Sequence, residues 1–163
     1  MTASAAKPAP CHHRPTARPS RAALTAAFAK GRERSEAAGL RWTPLRQRAL
    51  ELLLEADGPV KAYDLIANFK ADAATAPPTV YRALDALVEL RLAHRIPSIN
   101  AYVACHGEDD GHVASFLICD CCGAVEEIEA PTGELLSAIA AQSAFQAASL
   151  TVEAHGRCKT CQA

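Results

Sequence analysis

The stretch "ATAPPTVYRALDALVEL", residues 74–90, predicts a helix with one apolar face. Pro77 and Pro78 open this helix, because the fixed backbone angle of proline suits the first helical turn. At 100° per residue, five apolar side chains share one face: Val80, Ala83, Leu84, Leu87 and Val88. Three other side chains lie outside that face near the start of the helix, and we expect them to be exposed: Thr79, Tyr81 and Arg82.

Two helices are predicted directly before this one. In "RWTPLRQRALELLLEADGP", residues 41–59, Thr43 is a good N-cap and Pro44 takes the first helical position. We expect its buried stripe to be Leu45, Ala49, Leu52, Leu53 and Ala56. The stretch "VKAYDLIANFK", residues 60–70, predicts a shorter helix. Four of its residues should face inward: Ala62, Leu65, Ile66 and Phe69. A further Ala-rich helix is expected from Arg21 to Ala38.

After Leu90 the pattern changes to two short strands, "RLAHRI" and "AYVAC", joined by the turn "PSIN". Three helices followed by a two-stranded hairpin are typical of a winged helix-turn-helix. In that layout the third helix enters the major groove of DNA, and its first residues meet the bases. Residues 1–100 carry 15 Lys and Arg against 9 Asp and Glu, and this positive balance favours DNA as the partner. The alternative is an ordinary amphipathic helix with a solvated face.

The N-terminal tail, residues 1–20, is polar and rich in Pro and Ala, and we expect it to be disordered. Its Cys11, His12 and His13 are possible metal ligands, although nothing nearby would hold them in place. The tail lacks the apolar core of a signal peptide, and the chain has no apolar run long enough for a membrane span. The sequence therefore predicts a cytoplasmic protein whose thiols stay reduced.

The second half of the chain reads strand, strand, helix, strand. It carries 2 Lys and Arg against 9 Asp and Glu, and six of the seven cysteines. Leu135, Leu136, Ile139 and Ala140 are predicted to face inward from its helix. About 60 residues make a thin core, so we expect this module to need a partner chain and a metal. The predicted domains are the tail, a winged-helix DNA-binding domain over 21–100 and a metal-binding dimerisation domain over 101–163.

Two C-x2-C turns stand 35 residues apart in this half. They consist of Cys119, Cys122, Cys158 and Cys161. Two such turns place four thiolates tetrahedrally around a zinc ion, and a site closed by four protein ligands is structural. Cys121 is an extra thiol between the first two, and we interpret it as a bystander. A disulfide framework is disfavoured by the odd number of cysteines, and a redox dithiol motif usually occurs singly.

Other residues suited to binding zinc remain once these four are set aside. They are His94, Cys105, His106, His112, Glu127 and His155. Two histidines, one thiolate and one carboxylate would form a second tetrahedral zinc site. A lone buried His or Cys is common, however, so each of them taken singly is more simply a core or surface residue.

The order of these stretches resembles the ferric uptake regulator family, and within it the zinc-responsive branch. The resemblance rests on six stretches that span about residues 22–161: "RWTPLRQRALELL", "AYDLIANF", "PPTVYRALDALVEL", "HRIPSINAYVACH", "FLICDCCGAVEEIE" and "VEAHGRCKTC". It implies an α+β fold, with an N-terminal winged helix-turn-helix and a small α/β dimerisation domain that holds a structural zinc. It also implies a homodimer that represses genes by binding palindromic DNA when loaded with metal.

The resemblance implies roles for individual residues. The four cysteines of the C-x2-C turns match the structural zinc ligands. The sensory zinc ligands of the zinc-responsive branch are matched by His94, Cys105, His112 and Glu127. This makes two zinc ions per chain. Tyr63 and Arg82 match positions that contact DNA. The loop after Cys105 is one residue shorter than is usual, so His106 and His112 remain alternatives for one ligand.

The sequence therefore predicts a zinc-responsive repressor of zinc uptake genes and not an enzyme. A thiolate at Cys105 favours zinc over iron, because soft sulfur suits zinc. The same fold sensing iron, manganese or peroxide is the first alternative. A thiol enzyme stapled by zinc, using Cys121 or Cys105, is the second, but the sequence offers no set of base, nucleophile and orienting group.

Overall fold

The computed structural model describes residues 18–56, 58–69, 76–105, 114–128, 132–142 and 150–162. The chain divides into two compact units, Pro15–Gly111 and a second that contains His112–Ala163. No helix within the described ranges is long and apolar enough to cross a membrane. Residues 1–17 of the predicted tail lie outside these ranges, and so do its Cys11, His12 and His13, as well as His106 and His112.

The described part of the first unit contains four helices, with a short strand between the second and the third. They are α1 (Arg21–Ala37), α2 (Pro44–Glu55), α3 (Ala62–Phe69) and α4 (Pro77–Glu89). The predicted N-cap of α2 is confirmed, because the Thr43 hydroxyl accepts a hydrogen bond from the Arg46 N–H at 3.3 Å. Pro residues occupy the first turns of α2 and α4, where a missing N–H costs nothing.

The core of this unit is built from the apolar faces of α2, α3 and α4. The inward residues predicted for α3 are all buried. On α4, Val80, Ala83, Leu84 and Leu87 are buried, and Val88 packs half-buried against them. The stripe predicted for α2 was partly wrong: the structure buries Leu50 together with Ala49 and Leu53, while Leu45 and Leu52 are only partly buried. Helix α2 is therefore turned slightly from the orientation that simple periodicity predicted.

A three-stranded sheet completes this unit. Its strands are β1 (Val60–Lys61), β2 (Ala93–Ile96) and β3 (Ala101–Ala104), in the order β1-β3-β2, with both pairings antiparallel. The hairpin of β2 and β3 was predicted, but β1 was expected to be the start of α3. Because β3 is the central strand of this sheet, Ala101–Ala104 belong to the first unit.

The second unit contains the strands and helix expected from the sequence. They are β4 (Ala114–Cys119), β5 (Val125–Ile128), α5 (Thr132–Ala141) and β6 (Thr151–Gly156). The sheet order is β5-β4-β6, with β5 antiparallel and β6 parallel to the central strand β4. The parallel pairing brings the ends of β4 and β6 to the same edge, where Cys119 lies opposite Gly156.

Two residues of the inward face predicted for α5 are exposed in a single chain. Leu135 is 45% exposed and Ile139 is 44% exposed, and Leu117 of β4 is 42% exposed. The expectation that these helix residues face inward was therefore wrong for Leu135 and Ile139 in a single copy. The reason is size: the described part of this unit buries few large side chains, chiefly Phe116 and Ile118, and offers the helix too little apolar surface.

Candidate metal centre and nucleic-acid interface

The first cysteine turn is a tight reversal between β4 and β5. Its geometry begins with the Gly123 N–H, which donates to the Cys119 carbonyl at 2.8 Å. Gly123 has a φ of 75°, a left-handed conformation that side chains other than glycine adopt at a cost. The turn closes when the Cys119 N–H donates to the Ala124 carbonyl at 2.8 Å. Cys119 and Cys122 are thereby placed on a short loop held by its own backbone.

The second cysteine turn follows β6 directly. The parallel pairing with β4 is extended by a hydrogen bond from the Asp120 N–H to the Gly156 carbonyl at 2.8 Å, which holds the two turns side by side. The chain then forms a short 3₁₀ helix over Lys159–Cys161. Within it, the Cys161 N–H donates to the Cys158 carbonyl at 2.8 Å. The strand pairing therefore brings together cysteines that are far apart in the chain.

All four thiols of the predicted structural site converge. The sulfur atoms of Cys119, Cys122, Cys158 and Cys161 all lie within 4.8 Å of one another. The sulfurs of Cys122 and Cys158 are 3.8 Å apart, which is far longer than a disulfide bond. A tetrahedral zinc with Zn–S bonds of about 2.3 Å requires sulfurs about 3.8 Å apart. The donor set and its spacing therefore fit zinc. Cys121 is exposed and stands outside the group, as the sequence indicated.

The backbone around this group favours the thiolate form. The Cys158 N–H donates to the Cys119 sulfur at 3.3 Å, and this is the largest of several hydrogen bonds that lower the pKa of Cys119 to about 6. Burial acts to raise the pKa of Cys158, but hydrogen bonds from Cys161 outweigh it, so that this pKa also lies below its usual value. Hydrogen bonds to a charged sulfur stabilise that charge, and thiolates are the form that binds metal.

His155, a possible ligand in the sequence, has a different partner in the structure. Its Nδ1 atom lies 3.0 Å from a carboxylate oxygen of Asp120, and its Nε2 atom lies 3.7 Å from Glu153. The hydrogen bond to Asp120 raises the pKa of His155 above its usual value, while its partial burial opposes this. The pair links the first cysteine turn to β6. The sequence carried no signal for it, because the two residues are 35 positions apart.

The predicted sensory ligands fall on both units. His94 is half-buried on β2, opposite Val103. The Cys105 N–H donates to the Leu92 carbonyl at 3.0 Å, which extends the β2–β3 register by one pair. His94 and Cys105 therefore lie on one face of the hairpin as diagonal neighbours.

One predicted sensory ligand lies in the described part of the second unit. Glu127 is half-buried on β5, opposite Phe116 of β4. His112, like its alternative His106, lies outside the described residues.

Three of the predicted DNA-binding residues are exposed in the first unit. Tyr63, on α3, is 77% exposed, the largest value among its exposed apolar side chains. Thr79 and Arg82 are exposed on the first half of α4. Tyr81 was expected to be exposed, but it is half-buried and packs against the core. The long aromatic side chain reaches back over the edge of the helix to apolar surface, which burial favours over full solvation.

Comparison with known proteins adds independent information. Residues 37–155 match the ferric uptake regulator family. The zinc uptake regulation protein of Escherichia coli (strain K12) is 41% identical over 125 residues, a match that covers 75% of this chain and 73% of that protein. The protein of the same name from Shigella flexneri matches equally well.

Solved structures agree in fold. A zinc uptake regulator complexed with zinc and DNA is 36% identical, with a TM-score of 0.74, and the match covers 85% of this chain and 95% of that one. The crystal structure of holo XcZur is 40% identical, with a TM-score of 0.71, and here the match covers 86% of this chain and 99% of the other.

Proposed function

Because the chain belongs to the ferric uptake regulator family, we propose that it is a zinc-responsive transcriptional repressor that controls zinc uptake genes. It binds palindromic operator DNA as a zinc-loaded homodimer and acts in the cytoplasm. Relatives named as zinc uptake regulators, one of them solved with zinc and DNA, support both the metal and the partner.

One observation carries the choice of zinc over iron. The thiol of Cys105 shares a hairpin face with the imidazole of His94, close in sequence to the end of α4. A site that combines thiolate and imidazole suits zinc, whereas iron sensing does not call for soft sulfur. The proposed sensory ligands are His94, Cys105, His112 and Glu127, so that each chain holds two zinc ions, one structural and one sensory.

The mechanism is a shift between conformations. His94, Cys105, His112 and Glu127 would hold the sensory zinc in this proposal. Zinc at this site would restrict the conformations open to the chain, which is what the four ligands would contribute to the mechanism. In a homodimer this restriction sets the separation of two α4 helices, which must match half-sites about 34–36 Å apart. A coupling of roughly 1–3 kcal/mol is typical of such linkage.

DNA binding is assigned to the exposed residues of α3 and α4. Arg82 donates to base edges or phosphates from the first half of α4. Thr79, on the same part of the helix, faces the same major groove of DNA. Tyr63 supplies a contact from α3. Tyr81, which is partly buried against the core, is the fourth proposed DNA-binding residue.

The homodimer is supported by the second unit. Leu117, Leu135 and Ile139 expose apolar surface that a single copy leaves uncovered in the described part of the chain. Leu135 and Ile139 are four residues apart and share one face of α5, and exposed apolar surface of this kind marks interaction sites. A second copy covers them in the proposed assembly.

The proposal is tested with Cys105→Ser, which removes the soft ligand and leaves the four structural cysteines intact. We expect a folded dimer that holds one zinc per chain where the parent holds two, and that binds operator DNA weakly at every buffered zinc concentration. Zinc content by mass spectrometry and DNA affinity by fluorescence anisotropy give the answer.

Two outcomes contradict the proposal. A Cys105→Ser variant that keeps two zinc ions and normal zinc dependence places the sensor elsewhere. A parent chain that binds DNA in response to iron or manganese but not to zinc favours the alternative sensor. Cys121→Ser is the matched control: it changes an exposed thiol outside the group, and DNA binding should be unchanged.

A further inference from the structure

The C-terminal end of α4 is closed by a tight backbone motif. The Leu92 N–H donates to the Leu87 carbonyl at 2.8 Å, and the Arg91 N–H donates to the Val88 carbonyl at 2.9 Å. These two bonds form a Schellman motif, in which the residue after the cap is left-handed and is usually glycine. Here that residue is Arg91, with a φ of 54°. The DNA-facing helix therefore ends in a conformation that is costly for its residue.

A side chain of helix α1 forms hydrogen bonds to the C-terminal end of α4. A terminal nitrogen of Arg34 donates to the Leu90 carbonyl at 3.2 Å and to the Arg91 carbonyl at 2.8 Å. Both carbonyls lie at the end of α4, where the helix dipole is negative and a cation is favoured. Arg34 is 56 residues away from Leu90 in the chain, so these bonds tie α1 to the end of α4.

The same segment is tied to a proposed sensory ligand. The Leu92 carbonyl accepts a hydrogen bond from the Cys105 N–H at 3.0 Å. Leu90, Arg91 and Leu92 are consecutive, so Arg34 holds two carbonyls and the backbone of Cys105 holds the next. The three-residue segment is therefore a junction where α1, α4 and Cys105 meet.

Helix α1 is seated closely enough to act as an anchor. Gly31, one turn before Arg34, is buried, and a side-chain carbon at this position would lie 2.5 Å from the Trp42 ring. Ser35, next to Arg34, is also buried, and its carbonyl accepts a hydrogen bond from the Leu40 N–H at 2.7 Å. Close packing on both sides of Arg34 fixes its position in the first unit.

We infer that Arg34 is a positioning residue, which couples the zinc state of Cys105 to the recognition helix α4 by holding the Leu90–Leu92 junction. This inference rests on the proposed function. A change at the Cys105 backbone when its thiol becomes a ligand would reach the end of α4 through the restrained junction. Without Arg34, the strained turn at Arg91 absorbs the change locally. Zinc then still binds, but it changes the position of α4, and with it the operator affinity, less than in the parent.

The experiment compares operator affinity at saturating and at chelated zinc for full-length parent, Arg34→Ala and Arg32→Ala. Arg32 is exposed two residues earlier on α1, so its variant loses the same charge without touching the junction. The ratio of the two affinities measures coupling and is about 5–150-fold in typical systems. We expect Arg34→Ala to lower this ratio at least about fivefold while zinc content stays at the parent value. Arg32→Ala should keep the parent ratio.

A second readout separates positioning from DNA contact. Removing a phosphate contact weakens binding uniformly and reduces the salt slope by about 1. Arg34→Ala should therefore leave the salt slope of the zinc-loaded protein unchanged. An unchanged coupling ratio overturns the inference. An equal loss of affinity with and without zinc, accompanied by a smaller salt slope, also overturns it, because Arg34 would then be a DNA contact.

If Arg34→Ala fails to fold, Arg34→Lys carries the test. Lysine keeps the charge and most of the side-chain length but lacks the rigid fork of arginine. An affinity ratio for Arg34→Lys that lies between the parent's ratio and that of a protein with no zinc response supports the inference. An affinity ratio equal to the parent's overturns it. A parent chain with no zinc response shows the failure of the proposed function itself, before any substitution is made, and the inference falls with it.

Discussion

Cys121 and Cys122 are neighbours in the chain, yet only Cys122 belongs to the four-thiol group. The difference comes from the turn: hydrogen bonds across the Cys119–Gly123 reversal direct Cys122 toward Cys158 and leave Cys121 exposed. Backbone hydrogen bonds to the Cys119 sulfur, the largest of them from the Cys158 N–H of the second turn, lower the pKa of Cys119 to about 6. Neighbouring peptide groups therefore favour the thiolate form of Cys119, which is the form that binds metal.

Cys158→Ser should remove the structural zinc and unfold the second unit, because structural zinc supplies folding free energy to a small core. Circular dichroism should show loss of strand and helix signal, and zinc analysis should show at least one ion fewer per chain. Cys121→Ser, the matched exposed thiol, should change neither. A Cys158→Ser protein with full zinc content and a normal spectrum would refute the assignment.

At the scale of elements, the packing of α1 against Trp42 depends on one glycine, Gly31. Gly31 is buried in the middle of α1, where glycine weakens a helix by about 1 kcal/mol relative to alanine. The structure shows why it is there: the Trp42 ring occupies the space that a side chain would need. This close contact between Gly31 and Trp42 places Arg34, one turn later, against the end of α4.

Gly31→Ala should lower the free energy of unfolding of the first unit by about 1–3 kcal/mol, because the added methyl overpacks the contact with Trp42. Urea unfolding measures the change. The control is the same substitution in a Trp42→Ala background, where the clash is gone. There alanine should instead stabilise by about 1 kcal/mol, the ordinary gain in helix propensity. The same sign in both backgrounds would contradict the packing argument.

On the scale of the whole molecule, the two units differ in charge and in how far each buries its own apolar side chains. The first half of the chain is basic and its unit buries a continuous core. The second half is acidic, and its unit exposes Leu117, Leu135 and Ile139. An acidic surface is repelled by DNA, so the second unit is suited to contacts with protein and metal.

Leu135→Asp should convert the proposed dimer to monomer, because burying an unpaired carboxylate in an apolar contact is strongly unfavourable. Sedimentation velocity at micromolar concentration measures the change. Ser137→Asp adds the same charge on another side of α5 and should leave the dimer intact. A Leu135→Asp variant that sediments as the parent does would place the dimer contact elsewhere.

Local rules were enough for much of this protein. Proline positions, the Thr43 cap and apolar periodicity predicted the helices, since these signals act between residues that are close in the chain. The two C-x2-C turns predicted which four thiols converge. The exposed start of α4 followed from periodicity in the same way, with Tyr81 as the exception.

Other features depended on contacts between distant residues. The strand β1, the exposed face of α5, the Asp120–His155 pair and the hold of Arg34 on the end of α4 have no local pattern. Each depends on which surfaces meet once the chain has folded. A hydrogen bond across 56 residues is specified by packing, and packing is a property of the assembled core and not of any one segment.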